Sequence, residues 1–160
     1  MRATTAAASA LFAAALLASA PQAAADRQEG YYYPAVTSEE EFTRNLIEGP
    51  APNQTVRETF VALITRAQLD APSPTRFSLF AKGGDSRRLI MVGLDDDAFR
   101  TLYRARAVLA QLTYNLRGTS FFIENDVADV GTFFDILQTL DFESLTVSDG
   151  MTWSHRVYFK

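Results

Sequence analysis

The sequence predicts an α+β fold, a mainly antiparallel sheet of about five strands packed by about three helices, and three observations carry that expectation. Residues 145–159 alternate apolar and polar around an Asp149-Gly150 turn signal, which is the pattern of a hairpin buried on one face. Two further apolar runs, 77–81 and 89–94, flank the glycine-bearing segment 82–86 and read as a second strand pair. Between the two pairs, Asp95-Asp96-Asp97 opens a helix whose apolar face carries Phe99, Leu102, Val108, Leu109 and Leu112 and which ends near Gly118.

The remaining elements follow in chain order. Residues 1–25 read as a secretory signal peptide: Met1 and Arg2 supply the positive start, 6–18 the apolar stretch, and Ala23-Ala24-Ala25 the small-residue cleavage site before Asp26. Cleavage leaves 26–160 as a single α+β domain in a periplasmic or secreted location. Arginine outnumbers lysine 13 to 2, the usage of a GC-rich bacterial genome, which favours the periplasm. Gly30-Tyr31-Tyr32-Tyr33-Pro34 reads as an extended strap, because the proline biases the residue before it away from the helical region. Extended geometry would place Tyr31 and Tyr33 on one side and Tyr32 on the other.

Ser38 followed by Glu41 makes a capping-box pattern, and Phe42, Leu46 and Ile47 then predict a short helix stopped by Gly49-Pro50. Residues 56–69 are rich in β-branched and apolar side chains and read as a strand, so that three sequential strands form a meander. A third helix is expected over about 127–140, with Asp129 in its first turn and Phe133, Phe134, Ile136, Leu137 and Leu140 facing the core. In the final strand Trp153, His155, Val157 and Phe159 share a face.

Composition excludes several chemistries. With no cysteine, disulfides and a lipid-bearing cysteine are both ruled out, and His155 as the sole histidine leaves no zinc-binding set. No metal or cofactor is expected. After loss of Arg2, 14 basic face 19 acidic side chains, a net charge of −5 that offers no footprint for nucleic acid. No apolar run of the mature chain spans a bilayer, so no integral membrane segment is expected.

Several side chains invite a functional reading. Ser148, Asp149 and Ser154 sit near His155, but Ser154 points to the opposite face of the strand, so His155 is read as a partly buried histidine with one hydrogen-bond partner. Asp95, Asp96 and Asp97 lack the alternate spacing of a calcium loop and read as a helix start, with Asp96, Arg100 and Arg104 spaced for ion pairs. Arg100, Arg104, Arg106 and Arg117 give the central helix a basic side. Lys82, Arg87 and Arg88 make a basic hairpin tip. Tyr31, Tyr32 and Tyr33, with Arg100 and Arg104, are the expected partner-binding residues, since aromatic and guanidinium groups supply large contact area. No catalytic residue is assigned.

The stretches Gly30-Tyr31-Tyr32-Tyr33-Pro34, Thr37-Ser38-Glu39, Phe80-Ala81-Lys82-Gly83, Phe99-Arg100-Thr101-Leu102, Arg104-Ala105-Arg106-Ala107-Val108-Leu109-Ala110-Gln111-Leu112-Thr113 and Trp153-Ser154-His155-Arg156-Val157 carry a resemblance. Over nearly the whole mature chain the sequence resembles a family of small exported alphaproteobacterial proteins that often bear the inherited label molybdopterin-guanine dinucleotide biosynthesis protein A. That label implies nucleotidyl transfer with GTP and Mg²⁺, and Gly83-Gly84-Asp85-Ser86-Arg87-Arg88 resembles its Gly-Gly-x-Ser-x-Arg loop. In that enzyme the loop leads into a helix, whereas here it precedes the apolar run 89–94 and lacks the following Met-Gly and lysine.

These readings converge on a non-catalytic periplasmic binding or assembly module with a protein partner. The alternative is a periplasmic hydrolase working through carboxylates such as Glu41, Glu58 or Asp97. The nucleotidyl-transfer reading stands third.

Overall fold

The computed structural model describes residues 31–43, 52–120, 123 and 131–160. The signal segment and its cleavage site, Leu46, Ile47, Gly49-Pro50 and Asp129 lie outside the described residues. Five strands form one sheet: β1 (Ser38–Phe42), β2 (Phe77–Lys82), β3 (Arg88–Gly93), β4 (Ser144–Ser148) and β5 (Ser154–Phe159). Four helices accompany them among the described residues: α1 (Gln54–Leu69), α2 (Asp96–Phe99), α3 (Leu102–Leu116) and α4 (Phe133–Thr139).

The α+β expectation holds, but the sheet is mixed rather than mainly antiparallel. Its order is β1-β5-β4-β3-β2. The hairpin pairs β2–β3 and β4–β5 are antiparallel, while β3–β4 and β1–β5 are parallel. A parallel pair needs a crossover connection, and the chain between β3 and β4 supplies it with α2, α3 and α4.

Two expected elements take the opposite form. Residues 54–69 are a helix, not a strand, so no three-stranded meander exists. Asn53 caps it by accepting from the Val56 amide, and Phe60 and Ile64, four residues apart, bury against the sheet. Tertiary burial of that stripe outweighs the β preference of its Val, Ile and Thr residues, a matter of about 1 kcal/mol or less per residue. Conversely, Ser38–Phe42 is a strand, not the start of a capped helix. The Ser38 hydroxyl is engaged by His155 across the sheet rather than by its own backbone three residues on.

The long central helix is broken in two. The Trp153 indole donates to the Phe99 carbonyl at 3.0 Å, taking the acceptor that a continuous helix would offer to its next turn. Thr101 then caps a fresh start by accepting from the Arg104 amide. Phe99 lies flat on β3, where a Cβ on Gly93 would stand 2.2 Å from its ring, so only glycine permits this approach. The third expected helix is observed over Phe133–Thr139, started by a capping box between Thr132 and Asp135. The final hairpin forms as expected, with its second strand beginning at Ser154.

The helices cover one sheet face. Leu79, Leu89, Met91, Leu145, Val147 and Val157 meet Phe60, Ile64, Leu109, Leu112, Ile136 and Leu137 in one core. Buried Arg57 of α1 ties this layer to its loops, donating to the carbonyls of Pro52, Asp85 and Leu140 with Asp141 at 3.6 Å. A buried guanidinium is tolerable only with its donors met in this way.

The opposite face is crossed by the segment carrying the tyrosines. Tyr32 stacks on Phe80 of β2 at 4.8 Å, Tyr33 is buried with its hydroxyl 3.3 Å from Arg156, and the Pro34 carbonyl accepts from Ser154. The strap is therefore present, but Tyr31 and Tyr32 lie in a turn, so the strict alternation expected of an extended strand does not hold.

Candidate functional site

Strand β1 is one edge of the sheet. Its register opposes Ser38 to His155, Glu40 to Val157 and Phe42 to Phe159, so these three β1 side chains turn toward the helices. At this edge they meet α3 and the start of α4, and a cleft of about 490 Å³ opens between the three elements. Phe42, Leu109, Ala110, Phe133 and Phe134 make its apolar wall, and Glu40, Arg106 and Arg117 carry the nearby charge. Phe42 and Phe134 stand edge to face at 5.4 Å, which stiffens that wall. Size and lining match an ordinary small-ligand site, roughly 300–1,000 Å³ and mostly apolar with a few placed polar groups.

From Glu40 and Arg106 at the cleft's β1 edge a chain of polar side chains leads back to His155 and Ser38, which do not line the cleft. Ser38 Oγ lies 2.8 Å from His155 Nδ1, and His155 Nε2 lies 3.3 Å from Glu40 Oε1. The second contact is close but poorly aligned, so neither Nε2 nor Oε1 completes a hydrogen bond. The other Glu40 oxygen accepts from Arg106 at 2.5 Å. In the tautomer that carries its proton on Nε2, toward the carboxylate, Nδ1 is free to accept from the Ser38 hydroxyl. Partial burial pushes the Glu40 carboxyl up, but the hydrogen bond and charge of Arg106 together with the His155 contact outweigh it and hold it below the ordinary glutamate value.

The predicted site residues do not gather at one place. Of Tyr31, Tyr32 and Tyr33, only Tyr31 is well exposed, at 79%. Arg104 pairs with Asp97 at 3.3 Å across the helix break, in place of the expected ladder through Asp96 and Arg100, while Arg100 is exposed at the end of α2. Arg106 and Arg117 flank the cleft instead, with Arg117 donating to the Gly131 carbonyl. The hairpin tip is largely compensated: Arg87 pairs with Asp141 and Glu143, and Lys82 lies over the Tyr32 ring. Glu41 pairs with Lys160, Glu58 accepts from Gln54 and Ser86, and Asp97 holds Arg104, so these three carboxylates sit on three separate elements.

His155 is buried, at 4% exposure, more deeply than the partial burial expected of it. Ser148 and Ser154 serve the backbone of Trp153 and Pro34, and Asp149 caps its own turn. Ser38, Glu40, Phe42 and Phe134 were not legible as site residues. The signal available was the period-2 spacing of Ser38, Glu40 and Phe42, which competes with the capping-box reading of the same residues.

Among the described residues no cluster of three or more His, Asp or Glu could hold a metal ion, and no helix is long and apolar enough to cross a membrane. No protein-family model matches the chain, nor does any curated protein or solved structure.

Proposed function

We propose that this chain is an exported binding or assembly module that receives an apolar group of its ligand or protein partner in the cleft between β1, α3 and α4. The observation that carries the reading is the open apolar wall of Phe42, Leu109, Ala110, Phe133 and Phe134, bounded by the Glu40–Arg106 ion pair and by Arg117, which donates to the Gly131 carbonyl. Apolar contact then supplies the affinity, at about 25 cal/mol per Å² buried, and the charged rim sets orientation. The exposed ridge of α3 beside the cleft supports a macromolecular partner. Tyr103 and Tyr114 are 84% and 75% exposed and fall on one helix face with exposed Ala107 and Ala110.

Titration with the apolar fluorophore N-phenyl-1-naphthylamine tests the cleft. Ala110 is exposed at its lip, so Ala110→Trp fills the space without disturbing the core. The expected result is saturable binding by the wild type and at least a tenfold loss of affinity in the variant, about 1.4 kcal/mol, with unchanged thermal stability. Equal affinity in both proteins refutes the assignment.

A further inference from the structure

The Ser38, His155, Glu40 and Arg106 chain joins groups 117 residues apart in sequence, and its geometry has a chemical use beyond holding β1 to β5. Ser38 is exposed while His155, its hydrogen-bond partner at 2.8 Å, is buried, so the hydroxyl can meet a ligand and the ring stays fixed. Behind the ring stands Glu40 at 3.3 Å, itself anchored by Arg106. A hydroxyl within reach of a base, with the base oriented by a third group, is the arrangement that activates a nucleophile. Such arrangements are recognised by geometry and roles rather than by sequence order. Here the imidazole is used in the reverse sense, with Nδ1 toward the serine and Nε2 toward the acid.

We propose that Ser38 is an activated nucleophile that takes an acyl group from an ester with a good leaving group, with His155 as general base and Glu40 and Arg106 as positioning residues. As Ser38 Oγ bonds to the acyl carbon, its proton passes to Nδ1. The bond to the leaving oxygen or sulfur breaks, and the leaving group takes the proton from Nδ1. Water then attacks the acyl carbon and gives its proton to Nδ1, the acyl carbon–Oγ bond breaks, and Nδ1 returns that proton to Ser38 Oγ as the carboxylic acid leaves. In both halves the imidazolium holds its Nε2 proton toward Glu40, which compensates the transient charge. The proposed substrates are aryl esters and thioesters, whose leaving groups depart with the least help at the carbonyl oxygen, where an oxyanion donor is worth about 10²–10³ in rate. The adjoining cleft would seat the acyl chain, and that last point alone rests on the binding reading above.

A small fluorophosphonate probe tests the nucleophile without needing the cleft. The full mature chain should form an adduct that peptide mass spectrometry places on Ser38, absent in Ser38→Ala, whose exposed edge position leaves the fold intact. His155→Gln should slow adduct formation by about 100-fold, the scale of a general base. Glu40→Gln, which keeps the side chain's shape, should slow it less and shift the pH profile of labelling. No adduct on Ser38 in the wild type overturns the proposal, as does labelling of Ser38 at an undiminished rate in both folded variants. If His155→Gln fails to fold, the wild-type adduct and the Glu40→Gln profile decide.

Discussion

Asp149 illustrates how much a single side chain holds in this molecule. One of its carboxylate oxygens accepts from the amides of Met151, Thr152 and Trp153 at 2.8 to 3.1 Å, and the other accepts from the Thr152 hydroxyl. Burial raises its proton affinity, but these donors outweigh that and keep the carboxyl below its ordinary value of 3.8. A folded-state value below the unfolded one means that this stabilisation is complete above the ordinary value and is lost as pH falls through the folded one. Asp149→Ala should therefore cost about 1–3 kcal/mol at pH 7, and the gap from wild type should close as pH falls below about 4. Urea denaturation at pH 7 and pH 3 measures both. At this scale the sequence was informative about Gly150, whose φ of +79° suits the turn, while His155, expected to be partly buried, is buried almost completely. It could not reveal the partners Ser38 and Glu40, because nothing local in 145–159 refers to residues brought alongside by strand pairing.

At the scale of elements, the two misread segments fail for opposite reasons. Residues 56–69 carry β-branched side chains whose local preference is small, and the stripe of Val56, Phe60 and Ile64 decides in favour of a helix once it has a core to enter. Ser38 to Phe42 carries a local cap signal that the sheet edge overrides. Position 62 separates the helix from the strand directly. In a strand Ala62 would share the buried face of Phe60 and Ile64, whereas in α1 it is exposed. Ala62→Lys should change stability by less than about 0.5 kcal/mol, and Phe60→Ala, emptying a site between Phe133 and Phe142, should cost about 3–5 kcal/mol. A large penalty for Ala62→Lys would restore the strand. Both hairpins were legible because their turn signals and alternation lie within about twenty residues. The helix break was not, since it depends on Trp153 reaching the Phe99 carbonyl.

For the whole molecule, the parallel pairings β3–β4 and β1–β5 are what sequence pattern could not supply, and β1–β5 creates the edge on which the cleft is built. The cleft thus became visible only through contacts across long separations, while the residues singled out in the sequence, Tyr31 to Tyr33 and Arg100 with Arg104, lie on the strap and at the helix break. Export is a property of the same scale and has its own check. Intact mass analysis of protein recovered from its native host should show a start at or within a few residues of Asp26, and an intact Met1 would contradict export.

The central claim, that the β1, α3 and α4 cleft is where this protein binds, is tested most directly by mapping amide chemical shifts of the ¹⁵N-labelled mature chain during titration with N-phenyl-1-naphthylamine. Saturable shifts are expected at Glu40, Phe42, Leu109, Ala110, Phe133 and Phe134, with the groove between α1 and β2 at Val61, Leu69 and Ala81 unmoved. Shifts centred on that groove or on Tyr31 and Tyr32, with the cleft amides silent, would contradict it.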